Sequence, residues 1–537
     1  MNNSYGNVRK SGGFAKFIII VLIVYFVYIF LLGFIKNPSG TSIFKSKDFT
    51  ILSNADNKDY MDELIKYGKK EGIKIAVVYA DDLEAIDMLE DTNNFDAVWM
   101  SNSIWLYMLE NAKVTNSKSI YINPIVMGVK KSKATELNLI RDDLKNSDIV
   151  KAIGDKKLNY VMSSVTKTNT GMTSYLGFLN ALSGSPEILT SSMLKNRKLV
   201  NNLKSLFSGV ERVSGSDTFL EDMFLKDSSY EAVIASESSL IRINKFLENS
   251  NREPLYLLYP VDGVAINDSP FAYVDRKQNK IDKFLKLQEF LLSDASQKSM
   301  ESLGKRTWYG GVNSNANKQV FRSEWGINTN NYLIPLKYPS KKVMNEAIAL
   351  YIDELRKPSA TAFCLDYSGS MYGTGKSQLS SAMSYILNSE EASKDLLQFS
   401  KNDKIYVIPF DSKNRNTWYT DNGINTSALI NNITKEEANG GTNIYNCVDQ
   451  ALKVLENVDK SYNKTVILMT DGDSVTSTYD NLALYYSSNN LKTPVYSIMF
   501  GSAKEEQLLR LANLTNAKVF DGRTNLKSAF KEVRSYN

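Results

Sequence analysis

An uncharged apolar segment near the amino terminus restricts the fold of this chain more than any other feature. Residues Phe17 to Ile35 run for nineteen positions without a charged side chain. As a helix this segment would be roughly 28 Å long, close to the bilayer hydrocarbon thickness of about 30 Å. A cleaved signal peptide would have a shorter apolar core and a small-residue cleavage site. We therefore predict a single, uncleaved transmembrane helix over residues 17–35.

The orientation of this predicted anchor is weakly determined by charge. Three basic residues precede the apolar segment, and three follow it by Lys47. The terminal amine and the absence of acids before the segment favour a cytoplasmic amino terminus. We predict a short cytoplasmic tail at 1–16, a polar linker at 37–47, and the bulk of the chain outside the cytoplasm at the cell membrane.

The composition excludes several kinds of site. The 537 residues include no histidine and only two cysteines, so histidine triads and histidine or paired-cysteine zinc sites are excluded. The net charge is +5, and the first 36 positions account for four of the basic residues. The remainder has 60 basic and 59 acidic side chains, and this balance predicts no nucleic-acid partner.

Strand and helix signals alternate directly after the linker. Phe49 to Leu52, Ile73 to Tyr79 and Phe95 to Met100 have the composition of buried strands, and Tyr60 to Lys69 has the periodicity of an amphipathic helix. This βαβ order predicts an α/β region with a largely parallel sheet.

Four segments of the following region carry a resemblance to a known family. In chain order they read IYINPIVMGVKKSKA, SSVTKTNTGM, AVIASESSLI and LLYPVDGVAINDSPFAYV. With the helical pattern from Gln288 to Arg306, they resemble the type 2 extracellular solute-binding proteins. The resemblance implies a two-lobed, periplasmic-binding-protein-like region over residues 48–335, with the middle lobe from about Val129 to Tyr256.

Hydroxyl and amide side chains follow several predicted strands of this region. They are candidates for ligand binding because open parallel sheets bind ligands at the carboxyl ends of their strands. A small molecule or an anion would suit hydroxyls beside the free N–H groups of a helix start. Ordinary helix caps are the alternative interpretation. The candidates are Ser101, Ser103, Ser164, Thr168, Asn169, Ser236 and Ser238.

A helical connector at 340–358, ended by Pro358, precedes a second predicted domain at 359–537. This domain again alternates buried strands with helices. Its first strand ends in Asp366-Tyr367-Ser368-Gly369-Ser370, a D-x-S-x-S pattern. Gly440-Gly441-Thr442-Asn443 and the strand ending Thr470-Asp471-Gly472 follow in order.

These motifs resemble the metal-ion-dependent adhesion site of the von Willebrand factor A (VWA) family. The resemblance implies a Rossmann-like, doubly wound domain in which Ser368, Ser370 and Thr442 bind Mg²⁺ (or Mn²⁺) directly. Asp366 and Asp471 would lie beside the ion, which would then bind an acidic group of a protein partner. Hydroxyl and carboxylate oxygens are the ligands that such hard cations prefer.

Simpler interpretations of the same residues remain. The Asp and Ser residues could cap a turn, Asp471-Gly472 could be a plain turn, and Asp411 and Asp473 could be solvated acids nearby. The segment from Ser370 to Ser377 also resembles a phosphate-binding loop, but serine replaces its first glycine.

The two cysteines lie in the first strand of this domain and in the helix after Thr442. A disulfide between Cys364 and Cys447 is compatible with a location outside the cell, but buried free cysteines are common, and we favour that alternative.

The sequence thus predicts a membrane-anchored surface protein that binds a partner through a metal ion and is not an enzyme, since it shows no catalytic motif. The rival prediction is a solute receptor of a transport system in which the carboxyl-terminal domain serves for docking.

Overall fold

The computed structural model describes residues 48–91, 94–313, 316, 318–330 and 339–536. The predicted tail, transmembrane helix and linker at 1–16, 17–35 and 37–47 lie outside the described residues. In the part of the chain that is described, no helix has the length and apolar character needed to cross a bilayer.

The secondary structure alternates between strands and helices, as the sequence predicts. The strands are β1 (Phe49–Ser53), β2 (Ile75–Tyr79), β3 (Ala97–Trp99), β4 (Val114–Ser119), β5 (Tyr121–Lys130), β6 (Tyr160–Ser163), β7 (Val210–Ser214), β8 (Ala232–Ser236), β9 (Leu255–Leu258), β10 (Ala265–Asn267), β11 (Pro270–Val274), β12 (Arg306–Thr307), β13 (Ser359–Asp366), β14 (Lys404–Phe410), β15 (Trp418–Thr420), β16 (Asn463–Thr470), β17 (Val495–Met499) and β18 (Val519–Asp521). The helices are α1 (Lys58–Lys70), α2 (Asp82–Asp91), α3 (Lys131–Glu136), α4 (Asn146–Gly154), α5 (Asn169–Leu182), α6 (Ser191–Leu194), α7 (Arg197–Ser208), α8 (Asp217–Lys226), α9 (Glu237–Asn249), α10 (Ile281–Leu292), α11 (Asp294–Ser302), α12 (Lys341–Leu350), α13 (Thr374–Leu387), α14 (Ser389–Ser393), α15 (Ser427–Lys435), α16 (Ile444–Glu456), α17 (Tyr479–Ser488), α18 (Glu505–Leu514) and α19 (Leu526–Arg534).

Two sheets form the predicted two-lobed region. The first has the order β2-β1-β3-β11-β4, and the second has the order β10-β5-β8-β6-β7, with β9 and β12 also paired to β5. β1 pairs in parallel with β2 and β3, which confirms the predicted βαβ order. The chain crosses from one sheet to the other between β4 and β5 and returns between β10 and β11, and one buried apolar cluster includes residues of both sheets, such as Val98 and Met127.

The boundary of the middle lobe differs from the predicted one. β5 begins at Tyr121, before the predicted boundary at Val129, and β10 extends the lobe past Tyr256 to Asn267. The reason is that β5 is one continuous strand whose early residues pair with β10 and whose later residues pair with β8 and β9.

The carboxyl-terminal domain has one six-stranded sheet with the order β15-β14-β13-β16-β17-β18. The pairs from β14 to β18 are parallel, and the short edge strand β15 is antiparallel. The central strand β13 is buried along its whole length, as expected for a sheet covered by helices on both faces. This confirms the predicted doubly wound α/β fold.

The connector packs on the two-lobed region. α12 continues into a π-helical turn at Tyr351–Leu355. Tyr351 packs against Tyr175 and Phe207, with ring centroids 5.5 and 5.0 Å apart. Arg212 then joins the middle lobe to the carboxyl-terminal domain, because its Nη2 donates to the Tyr496 hydroxyl at 2.9 Å.

Cys364 in β13 and Cys447 in α16 form a disulfide, with their Cα atoms 5.9 Å apart. The alternative that we favour from sequence, two free cysteines, is therefore wrong. The helix packs on the strand closely enough for the two side chains to meet, which the strand and helix pattern alone does not determine.

Candidate metal centre and interlobe cleft

The carboxyl ends of β13 and β16 lie side by side at the point where the strand order of the third sheet reverses. β13 leads to β14 on one side, and the chain later returns to β16 on the other. Such a switch point is the usual ligand site of an open α/β sheet. Asp366 ends β13 and Asp471 directly follows β16, so both predicted carboxylates lie here.

Hydrogen bonds join four of the five predicted metal-site residues. Asp366 Oδ1 accepts from the Ser368 amide at 2.8 Å, and Ser370 Oγ donates to Asp471 Oδ1 at 2.7 Å. The hydroxyls of Ser368 and Ser370 are 3.0 Å apart. The structure therefore brings the D-x-S-x-S turn and the second aspartate into one cluster.

Two glycine contacts bring Thr442 and the loop that carries it to the same cluster. A Cβ at Gly472 would lie 2.8 Å from Thr442 Oγ1, so only glycine allows this approach beside Asp471. Gly440, at a φ of 83°, accepts a hydrogen bond from the Gly369 amide at 2.9 Å. We call the five residues Asp366, Ser368, Ser370, Thr442 and Asp471 the hydroxyl rim.

Thr470 supports this arrangement and was missed in the sequence. Its hydroxyl donates to Asp366 Oδ2, and it accepts from the Gly472 amide at 3.2 Å. The signal that could have found it is its place beside Asp471 at the end of a buried strand. Burial raises the pKa of Asp366, although the hydrogen bonds from Thr470 and Ser368 oppose this shift.

The donor set of the hydroxyl rim suits a hard cation. It offers three neutral hydroxyls and two carboxylates, which are oxygen ligands of the type that Mg²⁺ and Mn²⁺ accept. The described residues contain no group of three or more His, Cys, Asp or Glu side chains able to hold a metal, so a site here must rely on its hydroxyls. Ser370 is exposed and can be reached from solvent.

The two neighbouring acids have cationic partners. Asp411 Oδ2 lies 2.9 Å from Arg415 Nη2, and Asp473 forms an ion pair with Lys504. Both are thus surface acids in ion pairs, and they add little free negative charge to the hydroxyl rim.

In the two-lobed region, the ends of strands from both lobes face one another, and we call the space between them the interlobe cleft. Trp105 of the first lobe donates from Nε1 to Asn169 Oδ1 at 2.8 Å, and Arg242 Nη1 lies 3.7 Å from Asp59 Oδ2. The lobes are therefore in contact in this structure.

The predicted ligand residues of the first lobe are engaged by carboxylates. Ser101 donates from its amide to Asp82 and from its hydroxyl to Asp56 Oδ2 at 3.1 Å. Ser103 donates from both amide and hydroxyl to Asp268.

Most of the predicted ligand residues of the second lobe cap helices or form hydrogen bonds with other side chains of the protein. Thr168 accepts from the Gly171 amide at 3.0 Å and caps α5, and Ser236 caps α9. Asn169 Nδ2 donates to Asn267 Oδ1 at 2.9 Å, and Ser238 Oγ accepts from Asn123 at 3.0 Å. The capping interpretation, which we considered from sequence, describes Thr168 and Ser236 directly.

Ser164 is the exception among these residues. Its amide donates to the Ser214 carbonyl at 2.7 Å, and its hydroxyl lies 3.4 Å from that of Thr166. Ser164 and Thr166 line a cavity that borders the carboxyl-terminal domain.

Carboxylates of the interlobe cleft were not among the sequence candidates. Asp217 accepts from the hydroxyls of Ser163 and Thr170. Burial, reinforced by the negative charge of Asp56, raises the pKa of Asp217 to about 7. Burial likewise raises the pKa of Asp81 to about 6, although Lys167 opposes this shift. Each acid follows a strand end, so the rule that selected the serines could also have selected them.

A buried ion pair closes the hinge side of the cleft. Arg306 and Glu237 are 1% and 0% exposed at their side chains, and Nε and Nη2 each donate to a carboxylate oxygen at 2.8 Å. The Tyr259 hydroxyl donates to the same carboxylate. These groups satisfy one another and leave no open ligand position at Glu237.

Comparison with known families divides the chain at the same place as the fold. Residues 49–306 match the model of the bacterial extracellular solute-binding proteins, and residues 359–517 match that of the von Willebrand factor type A domain. No curated protein sequence matches the chain significantly.

Several solved structures are similar to parts of the chain. A ferric binding protein from Campylobacter jejuni is 17% identical over 57% of this chain and 98% of its own, with a TM-score of 0.44. The periplasmic binding protein AfuA from Actinobacillus pleuropneumoniae is 15% identical over 58% and 99%, with a TM-score of 0.43. A von Willebrand factor type A protein from Catenulispora acidiphila is 18% identical over 34% and 43%, with a TM-score of 0.29. The family models thus show an amino-terminal solute-binding domain followed by a VWA domain.

Proposed function

We propose that this protein is a membrane-anchored surface binding protein whose VWA domain binds Mg²⁺ or Mn²⁺ at the hydroxyl rim and, through the ion, an acidic protein partner. The observation that carries the proposal is the convergence of five oxygen-bearing side chains at the switch point of an open parallel sheet. The proposed activity is binding, without catalysis.

The ligand types explain why a partner would be needed. Ser368, Ser370 and Thr442 would contact the ion with neutral oxygens, and Asp366 and Asp471 would hold its water ligands. An ion with few anionic ligands keeps positive charge and an exchangeable position, which a carboxylate from another protein can fill.

The surface around the hydroxyl rim supports protein binding. Tyr372, two residues after Ser370, is 82% exposed, and Val475 is 52% exposed in the loop after Asp471. The Val475 amide donates to the Thr442 carbonyl at 3.2 Å, which places this side chain beside the rim. An aromatic and an aliphatic side chain that flank a charged centre are suited to a protein interface.

A location outside the cytoplasm fits the disulfide between Cys364 and Cys447, since disulfides persist in oxidising compartments. The family model of residues 49–306 is described as extracellular. Together with the apolar segment at 17–35, these observations support a single-pass protein whose bulk is extracytoplasmic.

Selection from a displayed peptide library would test the proposal. We expect the full chain to retain peptides enriched in Asp and Glu in Mg²⁺ and to release them in EDTA. Ser370→Ala removes one exposed hydroxyl of the rim and should abolish retention, whereas Ser377→Ala, an exposed serine of α13, should not. Retention that persists in EDTA, or in Ser370→Ala, would contradict the proposal.

A second candidate function is a solute receptor of a transport system, with the VWA domain as a docking module. The match of residues 49–306 to the solute-binding family favours it. Because Asp81 and Asp217 lie in the interlobe cleft, we expect a small solute with a cationic group, whereas the hydroxyls alone suggested an anion.

Thermal unfolding with panels of cationic and anionic small molecules tests this second candidate. A solute should raise the Tm of the full chain, and Asp217→Asn should lose the effect while Asp282→Asn, an exposed acid of α10, keeps it. If no solute raised the Tm and peptide binding depended on the metal, the second candidate would be rejected and the first proposal would stand.

A further inference from the structure

Arg534, the last residue of α19, is a buried cation without an ionic partner. It is 5% exposed, and its Nε has no hydrogen-bond partner. Its guanidinium lies over the Phe399 ring, 3.8 Å from the centroid, and forms no ion pair with the described residues. A buried charge without a counter-charge is costly, so this arginine requires an explanation.

The nearest acid is already committed to other donors. Asp403 Oδ1 accepts from Arg356 Nη1 at 3.1 Å and from the Ser359 amide at 2.6 Å. Its Oδ2 accepts from the Ser400 amide at 2.7 Å and from Arg356. Asp403 therefore neutralises Arg356 and leaves the charge of Arg534 without an equivalent partner.

The environment of Arg534 shows the cost of this arrangement. Burial and the positive charge of Arg356 lower the pKa of Arg534 to about 9, although Asp403 opposes the shift. Both effects disfavour the charged form of the guanidinium, and an anion beside Arg534 would favour that form and raise its pKa.

A cavity of about 40 Å³ lies beside Arg534, between the VWA domain and the solute-binding domain. Three cationic side chains line it, those of Arg356, Lys357 and Arg534, and no carboxylate among the described residues does. Ser164 and Thr166 line it from the solute-binding domain. We call this space the seam cavity.

A further polar group in the seam cavity has no partner. Gln398 lines the cavity, and its Oε1 is buried without a hydrogen bond. Since amide oxygen and nitrogen can exchange places by rotation, this side chain can also present its N–H groups to the cavity.

We propose that the seam cavity binds a small oxyanion of the size of phosphate. At about 10–15 Å³ of such space for each water-sized atom, the cavity holds about three to four of them, close to the four oxygens of a tetrahedral oxyanion. Arg534 supplies the charge, and the amide of Gln398 and the hydroxyls of Ser164 and Thr166 supply hydrogen bonds.

This site is separate from the hydroxyl rim. Asn463, which begins β16, lines the seam cavity, whereas Asp471 follows the end of the same strand. The cavity is therefore at the amino-terminal edge of the third sheet, opposite the rim. An anion held there contacts both domains and stabilises their association.

Thermal unfolding of the full chain tests the site, with sodium phosphate or sulfate at about 10 mM compared with sodium chloride at equal ionic strength. We expect phosphate to raise the Tm of the wild type by about 3 °C or more relative to chloride. Arg534→Met should lose this shift, and its Tm without phosphate should equal or exceed that of the wild type, because the unpaired charge is gone.

Two further variants make the result specific. Gln398→Glu places a carboxylate in the cavity and should raise the Tm without phosphate while removing the response to it. Arg523→Met removes an arginine that is exposed and paired with Asp521, and it should keep the full response.

The outcomes separate clearly. Equal Tm values in phosphate and chloride for the wild type, or a phosphate shift that persists in Arg534→Met, would overturn the proposal. A larger Tm shift with phenyl phosphate than with inorganic phosphate would support the site and identify the phosphoryl group of a larger molecule as its ligand. A Tm shift with inorganic phosphate or sulfate but not with phenyl phosphate would support the site and identify an inorganic ion as its ligand.

Discussion

The hydroxyl rim of the VWA domain and the interlobe cleft of the solute-binding domain both gather Ser and Thr side chains after buried strands, but the two sites use them differently. At the rim, Ser370 is exposed, and its hydroxyl lies between the Ser368 hydroxyl and the Asp471 carboxylate. In the cleft, Ser101 and Ser238 are 1% and 2% exposed and bond to the protein itself. The same sequence signal thus marks a cluster with one exposed hydroxyl, that of Ser370, in one domain and an internal framework in the other; Ser368 is buried like the serines of the cleft.

The difference arises from what lies above each strand end. At the rim, the turn after β13 leaves Ser370 exposed, while Ser368 and Asp366 are buried. In the two lobes, Ser101 bonds to Asp56 and Ser238 bonds to Asn123, each within its own lobe, and the bond from Trp105 to Asn169 joins the lobes. Hydrogen bonding to a buried partner then has structural value and leaves fewer groups for a ligand.

The largest expected effect comes from the framework of the cleft. Arg306→Met should lower the free energy of unfolding by about 3–5 kcal/mol, because it leaves the Glu237 carboxylate buried without its counter-charge. Chemical denaturation of the full chain would measure it. Arg523→Met, which breaks an exposed pair, should change stability by less than about 1 kcal/mol. Equal effects of the two variants would show that the cleft is not held by its buried polar groups.

A second expectation concerns pH. The pKa of Asp217 is about 7 in the folded protein, against an ordinary value of 3.8. Between these values the folded protein holds a proton that the unfolded chain lacks, so stability falls as the pH rises through this window. From pH 5 to pH 8 the wild type should lose about 1–3 kcal/mol relative to Asp217→Asn. Parallel pH profiles for the two proteins would contradict this.

The smallest effects compare single hydroxyls of the two sites. Thr168→Ala removes the cap of α5 and should cost about 1 kcal/mol. Ser370→Ala, measured in EDTA, should cost less than about 1 kcal/mol, because Ser370 is exposed and water can replace its hydrogen bond to Asp471. If Ser370→Ala in EDTA cost more than Thr168→Ala, the distinction between an open ligand set and an internal framework would fail.

The fold was largely predictable from local sequence patterns. The apolar runs Thr361 to Leu365 and Thr465 to Met469 lie within β13 and β16, so these strands and the residues after their carboxyl ends could be identified, although both strands begin two residues earlier than the runs. β15 was missed because it is a three-residue edge strand with little burial. The lobe boundary was misplaced because β5 serves as a connection and a strand at once, and no turn residue marks the crossing.

The candidate sites were predictable only in part. The resemblance to the metal-ion-dependent adhesion site identified the five residues of the hydroxyl rim, whose motifs each lie beside a recognisable strand or helix. The bond between Trp105 and Asn169 depends on how the two lobes face one another, and the bond from Ser101 to Asp56 joins two segments 45 residues apart. Periodicity encodes neither contact. The isolation of Arg534 could not be predicted, because it depends on Asp403 being occupied by Arg356.

The most direct test of the central claim is thermal unfolding of the full chain, stripped with EDTA and titrated with Mg²⁺, Mn²⁺ and Ca²⁺, beside Asp366→Ala and Ser370→Ala. We predict a saturable rise in the Tm of the wild type with Mg²⁺ or Mn²⁺ that both variants lack, because ion binding to the folded rim stabilises it. No rise in the wild type, or an equal rise in Ser370→Ala, would contradict a metal site at the hydroxyl rim.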